Sequence, residues 1–326
     1  MTGVGRSAQD AKWTWPRRVA EVLVLTSVLL VPLTRVPAAV AAGAGAGAAT
    51  TSYYERGASS SDLYLQGETA GQAGSSGLVV LDFGRPASDG TNDGTDGYAS
   101  HFLSFAAITS AVENYIAAYY AYAPAYRTLD VAVGTNNSCG LYQPCGAIVC
   151  GCPDEPANYI TWGRELARTV EQLGAWSRQY ASTNGLTDTV RVVAADDVEP
   201  AFDPGYSNTY DVMHGYAQAV GGSSPPMVDY GSADPGFWSE DQLLQVADRF
   251  PPNVAMPEIY DASEIGEWAN LVSYAKARYG KAVTVFGVMT AATGSVSAHD
   301  AVAQTLRALA PITGQDNVSW LSAITP

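Results

Sequence analysis

The chain has 326 residues, 17 of them Lys or Arg against 32 Asp or Glu, for a net charge of −15. Residues 1–46 hold Arg6, Lys12, Arg17, Arg18 and Arg35 against Asp10 and Glu21, so the remainder carries 12 basic and 30 acidic residues, a net charge near −18. A surface this acidic repels phosphates and shows no basic stripe, which excludes nucleic acid as a partner.

In chain order, the first element reads as an export signal. Arg17 and Arg18 precede an apolar run from about Val22 to Val31, Pro32 and Arg35 end it, and Ala39-Val40-Ala41 fits signal-peptidase cleavage. The run is too short to span a bilayer. Residues 1–46 are therefore expected to be cleaved, leaving a secreted protein with no membrane contact. Residues 47–76, rich in Gly, Ser and Ala, read as a flexible segment, and residues 77–326 as one domain, a length that suits a single large α/β unit.

Within that domain a strand-then-helix rhythm repeats. Strands are predicted at "GLVVLDFG" (77–84), "LDVAVGT" (129–135), "VRVVAADDVE" (190–199), "PMVDYG" (226–231), "NVAMPEIY" (253–260), "AVTVFGVMT" (282–290) and "VSWLSAIT" (318–325). Nearly all are apolar throughout, the mark of strands covered on both faces. Helices lie between them: Ser239 with Gln242 and Asp261 with Glu264 make capping boxes, and Gly280 stops the second of these helices. Seven strands joined by helical crossovers imply a parallel sheet. The fold class is α/β, a (β/α)8 barrel of the TIM type or a close relative lacking one βα unit. The missing strand is sought before Gly77, in "DLYLQG" (62–67). An open doubly wound sheet is disfavoured because "DFGRPASDG" carries no G-x-G-x-x-G.

All four cysteines, Cys139, Cys145, Cys150 and Cys152, fall in "CGLYQPCGAIVCGC". In an exported chain they read as two disulfides pinning one loop, with a Cys150–Cys152 bridge disfavoured by its one-residue loop and the connectivity otherwise open. A four-thiolate zinc site is the rival, but the usual paired Cys-x2-Cys spacing is missing. No metal or cofactor is expected.

Polar residues recur at strand ends. Asp82 ends the first predicted strand, Asn136 and Asn137 follow the second, Asp197 and Glu199 end the third, Asp229 and Tyr230 the fourth, Glu258 and Tyr260 the fifth, and Thr290 the sixth. In a barrel these ends converge on the face where active sites are built. Residues two apart on a strand share a side, so Asp197 and Glu199 project together while Asp196 points away. Paired carboxyls suit glycoside hydrolysis, in which one protonates the leaving oxygen and another acts as nucleophile or activates water. The competing structural readings are a turn cap for Asp197 and a salt bridge from Glu199 to Arg191.

"VVLDFG" with its terminal Asp, and the later Asp-Val-Glu, resemble the glycoside hydrolases of family 25, lysozymes on a barrel fold whose first-strand Asp and Asp-x-Glu line the site. The resemblance implies catalytic roles for Asp82, Asp197 and Glu199 and for no other position. "GTNNS", "ADDVEP", "YGSAD" and "PEIYD" also resemble a group of exported actinobacterial-type barrel proteins of glycoside-hydrolase-like character. The family 18 pattern D-x-x-D-x-D-x-E fails, because Ala195 stands where an Asp is needed.

Trp238 and the strand-end tyrosines Tyr230 and Tyr260 are the candidates for stacking on sugar rings, whereas Trp176 and Trp268, at helical positions, read as core. Asn136, Asn137, Asp229 and Glu258 complete the expected substrate-binding set. The absence of H-E-x-x-H, G-x-S-x-G and a P-loop sets aside zinc peptidase, serine hydrolase and nucleotide chemistry. The expectation is thus a monomeric exported glycosidase acting on polysaccharide or peptidoglycan, the alternative being a barrel that binds glycan or a wall component without turnover.

Overall fold

The computed structural model describes residues 49–325 apart from 100, 139–143, 146–147, 150–154 and 223. The expected signal segment and the side chains of all four cysteines, and with them the expected disulfides, lie outside the described residues.

Eight strands form the main sheet: β1 (Thr50–Tyr54), β2 (Gly77–Asp82), β3 (Leu129–Asn136), β4 (Val190–Asp197), β5 (Met227–Asp229), β6 (Val254–Ala255), β7 (Gly287–Ala291) and β8 (Trp320–Thr325). Every pairing is parallel, and the order runs β6-β5-β4-β3-β2-β1-β8-β7. Two isolated parallel bridges, Ala255 to Val285 and Glu258 to Met289, bring the sheet's two edges together. The result is a (β/α)8 barrel-like fold with a full set of eight strands. Among the described residues seven helices connect them: α1 (Ser60–Gln72), α2 (Phe105–Tyr122), α3 (Tyr159–Thr183), α4 (Ser207–Ala219), α5 (Glu240–Leu244, continued by a π-helical turn over Gln245–Arg249), α6 (Ala262–Tyr279) and α7 (Ala298–Thr313). Among the described residues no helix is long and apolar enough to cross a membrane.

The uninterrupted apolar strands serve two cores at once. Leu78, Val80, Ala132, Val193, Ala195, Val228, Met256, Met289, Trp320 and Ile324 fill the barrel's interior. Their neighbours Val79, Leu81, Val131, Val133, Val192 and Ala194 meet the helices in the outer layer. Near the strands' N-terminal ends the interior is closed by Arg191 and Asp130, paired at 2.6 Å, with Trp320 Nε1 donating to the same carboxylate at 3.1 Å.

Two sequence expectations need correction, and one element was not foreseen. Residues 47–76 are not a flexible lead-in: they supply β1 and α1, capped by Ser59. The eighth strand is "TTSYY", five short, mostly polar residues with no apolar block, whereas "DLYLQG" lies within α1. The chain between β2 and α2, where the sequence predicts no element, forms a small antiparallel sheet of Arg85–Ser88, Asp93–Asp96 and Phe102–Ser104. Its Gly- and Asp-rich sequence gave no apolar alternation to detect. One consequence is that Asp82 ends the second barrel strand, one place along from where the family 25 resemblance puts its aspartate.

Candidate functional site

Strand alternation decides which strand-end residues share the site. On β4, Val193 and Ala195 point inward, so Asp197 continues that row while Asp196 faces the helices. The same reasoning aims Asp82 inward after Leu78 and Val80, Asn136 after Ala132, and Glu258 and Tyr260 after Met256. Tyr54 joins them from β1, where it pairs in register with Asp82. These residues stand at the C-terminal ends of the strands, the functional face of this architecture.

The centre is a group of three carboxyls. Asp197, Glu199 and Glu258 each present one oxygen, and the three oxygens lie within 4.8 Å of one another. Asp197 and Glu258 are each only 7 % exposed, whereas Glu199 is half-buried. Among the described residues none of the three forms an ion pair; Arg191, the rival partner for Glu199, is bound to Asp130 at the opposite end of the barrel. Burial, unrelieved by a cation, therefore pushes all three pKa values up. Asp197 is held well above the usual carboxylate range first by burial and then by the charges of Glu258, Glu199, Asp82 and Asp196. Glu258 is held well above it by burial, against a lowering hydrogen bond with Tyr260. Glu199 is raised by burial, in spite of the hydrogen bonds it accepts from Ser232.

The surroundings fix each carboxyl in place. Ser232 donates from its backbone N to Glu199 Oε1 at 3.0 Å and from its hydroxyl to Oε2 at 2.7 Å. That contact requires the β5 loop to lie against the β4 loop, and a Cβ on Gly231 would stand 2.1 Å from the Val198 carbonyl oxygen. Asn137 holds the other side of the β4 loop, accepting from Glu199 N at 2.9 Å and donating to the Glu199 carbonyl at 3.1 Å and to Thr209 Oγ1 at 3.0 Å. Tyr260 and Tyr54 join their hydroxyls at 3.1 Å beside Glu258.

Asp82 forms the adjoining part of the site. It accepts from the Tyr230 hydroxyl at 2.6 Å, the Tyr98 hydroxyl at 2.8 Å and Gly84 N at 2.7 Å. Its pKa is raised to about 6, because burial outweighs these three donors. Asn136 donates to the Tyr98 hydroxyl at 2.8 Å, which ties β3 into the same network.

Asp82, Asn136, Asp197, Glu199, Glu258 and Tyr260 are thus brought together. Three expected binding residues are not free to receive a ligand. Trp238 is 2 % exposed, its indole N–H spent on the Asp203 carbonyl and its ring packed edge-on against Tyr206, so no sugar can stack on it. Tyr230 is fully buried and orients Asp82. Asp229 is 2 % exposed, on the same side of β5 as the outer-layer residue Met227. Asn137 braces the β4 loop. Thr290 is buried as well. Sequence reasoning missed Tyr54, Tyr98 and Ser232. Tyr54 and Tyr98 come from segments with no strand signal, and only the position of Ser232 directly after the β5 end could have pointed to it.

No model of a known protein family matches the chain, and no curated protein matches it.

Proposed function

We propose that the protein is an exported glycoside hydrolase-like enzyme that cleaves cell-wall or other polysaccharide, peptidoglycan included, by carboxylate acid/base catalysis. The observation that carries this reading is the Asp197, Glu199 and Glu258 group, three carboxyls with one oxygen each within 4.8 Å of the others and all raised in pKa, at the end of the barrel where the active sites of this fold are built. An oxygen separation this short lies nearer the about 5–5.5 Å of carboxyl pairs that retain anomeric configuration than the about 6.5–9.5 Å of inverting pairs.

Glu199 is the proton donor in this reading. It is the most exposed of the three, and burial raises its pKa, which favours the protonated form a general acid needs. It gives that proton to the glycosidic oxygen as the C–O bond breaks. Asp197, deeper on the same face, assists as its neighbouring carboxyl, and Asp82, fully buried and held by two tyrosines, fixes the floor of the site.

A hydrolysis screen over glycans and peptidoglycan, run with the native protein beside Glu199→Gln, tests this. The native protein is expected to release reducing ends, and the variant to lose about 10²–10⁴-fold in rate, the range for a general acid, with an unchanged melting temperature. A native protein that binds glycan without cleaving any of the panel, or a variant with full turnover, sinks the catalytic reading.

A further inference from the structure

We infer that Asp197, Glu199 and Glu258 also form a binding site for one hard divalent cation, best matched to Ca²⁺. This does not depend on the hydrolysis reading.

The geometry comes first. Three oxygens no more than 4.8 Å apart lie within about 2.8 Å of a common centre, and a contraction of a few tenths of an ångström brings them to the about 2.3–2.6 Å of Ca²⁺–oxygen bonds. Mg²⁺, at about 2.0–2.1 Å with strict octahedral demands, requires a larger rearrangement. The ligands come from two separate points of the barrel rim, the β4 end and the segment after β6, so a bound ion would tie together strands that do not adjoin.

The second observation is the state of Asp197. It is more than nine-tenths buried, it lies on the inward-facing row of β4, and its Oδ1 has no hydrogen-bond partner among the described residues. An unsatisfied buried carboxylate oxygen costs the fold its full desolvation penalty. Every other carboxyl of the site has donors: Glu199 has Ser232, Glu258 has Tyr260, and Asp82 has Tyr98, Tyr230 and Gly84. A cation at the centre supplies the missing partner of Asp197. Among the described residues the donor set is oxygen only, which selects hard ions.

Cation and proton exclude each other here. When the ion is bound, the three groups are ionised and Glu199 cannot donate a proton, so in the hydrolysis reading the ion is an inhibitor. Affinity for it rises with pH as protons leave the site.

The test uses the full chain, stripped with chelator and titrated with CaCl₂, MnCl₂ and MgCl₂ at pH 8 by calorimetry and thermal melting. One saturable site per chain is expected, tighter for Ca²⁺ than for Mg²⁺, with a rise in melting temperature and weaker binding at pH 5. Asp197→Asn and Glu258→Gln should each weaken binding by more than about 10–100-fold, the loss expected from outer-shell partners alone, while Glu165→Gln, a surface acid, leaves it unchanged. Circular dichroism establishes that the variants fold, and Glu199→Asp serves as a second cluster variant should either fail. No saturable binding by the native protein, or binding that survives in all folded cluster variants, or an equal loss in Glu165→Gln, overturns the inference. Glycan turnover has no part in these readouts, so hydrolysis can fail while the cation site stands, and the reverse.

Discussion

At the scale of single residues, the site is governed by how burial and hydrogen bonds compete for the protons of four acids. Asp82 shows the competition most plainly, since burial raises its pKa while Tyr230, Gly84 and Tyr98 pull it back to about 6. Tyr230→Phe removes the shortest of those bonds, at 2.6 Å. The Asp82 pKa is then expected to rise, as carboxyl ¹³C NMR titration would register. Stability should fall by about 1.5–3 kcal/mol at pH 8, the worth of a hydrogen bond to a charged group, and by less at pH 5, where Asp82 is protonated. An unmoved pKa would mean that Tyr230 only fills space. The carboxyls themselves were legible in the sequence because acids at strand ends interrupt apolar runs. Their donors were not: Tyr98 reaches Asp82 from the small antiparallel sheet, and nothing in "GTDGYAS" announces that a hydroxyl returns to the barrel mouth.

At the scale of elements, the apolar blocks located seven of the eight strands and the capping boxes at Ser239 and Asp261 located two helix starts, and both boxes are formed. Periodicity carried no trace of β1, whose place in the sheet rests on tertiary pairing: Ser52 meets Ser322 at 2.6 Å and accepts from Val80 N at 2.7 Å. Close helix approach was equally invisible. Helices α3 and α4 touch through glycines, and a Cβ on Gly163 would stand 2.2 Å from the Val212 carbonyl oxygen and one on Gly215 2.1 Å from that of Ile160. Both obstacles are backbone, so Gly215→Ala must push the helices apart. It is expected to cost about 1–3 kcal/mol in urea denaturation, as overpacked cores do. The cost should also reach the site, since Thr209 on α4 is a hydrogen-bond partner of Asn137. A neutral or stabilising result would show that the two helices can separate freely.

At the scale of the whole molecule, the buried acids set how stability responds to pH. Asp196, accepting from Thr135 Oγ1 at 2.9 Å, has its pKa raised to about 7, chiefly by burial, and Glu55 is likewise raised to about 7. A raised carboxyl binds its proton more tightly folded than unfolded, so the folded state holds more protons over the window from about pH 4 to 7 and stability falls as pH rises through it. For Asp196 the difference from the ordinary 3.8 corresponds to on the order of 4 kcal/mol. With chelator present, the melting temperature is therefore expected to be higher at pH 5 than at pH 8, and Asp196→Asn should remove part of that slope. A stability that increases toward pH 8 under chelation would contradict the burial argument.

The seam of the barrel gives the site a direction of compliance. Seven of the eight strand junctions are ladders, whereas the β6–β7 junction consists of two separate bridges, at Ala255 and Glu258, with backbone hydrogen bonds from Phe286, Met289 and Ile259. Local opening is cheaper across a short, interrupted junction than along the ladders of β2, β3 and β4, so amides around 254–258 and 285–289 should exchange with deuterium before those of β2, β3 and β4. Uniform protection around the whole barrel would argue otherwise. Glu258 sits on that seam, while Asp197 ends, and Glu199 closely follows, a strand paired along its length with β3. Thermal motion then acts mainly on one side of the carboxyl triangle: two corners behave as a fixed jaw and the third as a moving one, and whatever enters between them, proton, ion or sugar, is gripped by the breathing of a single junction.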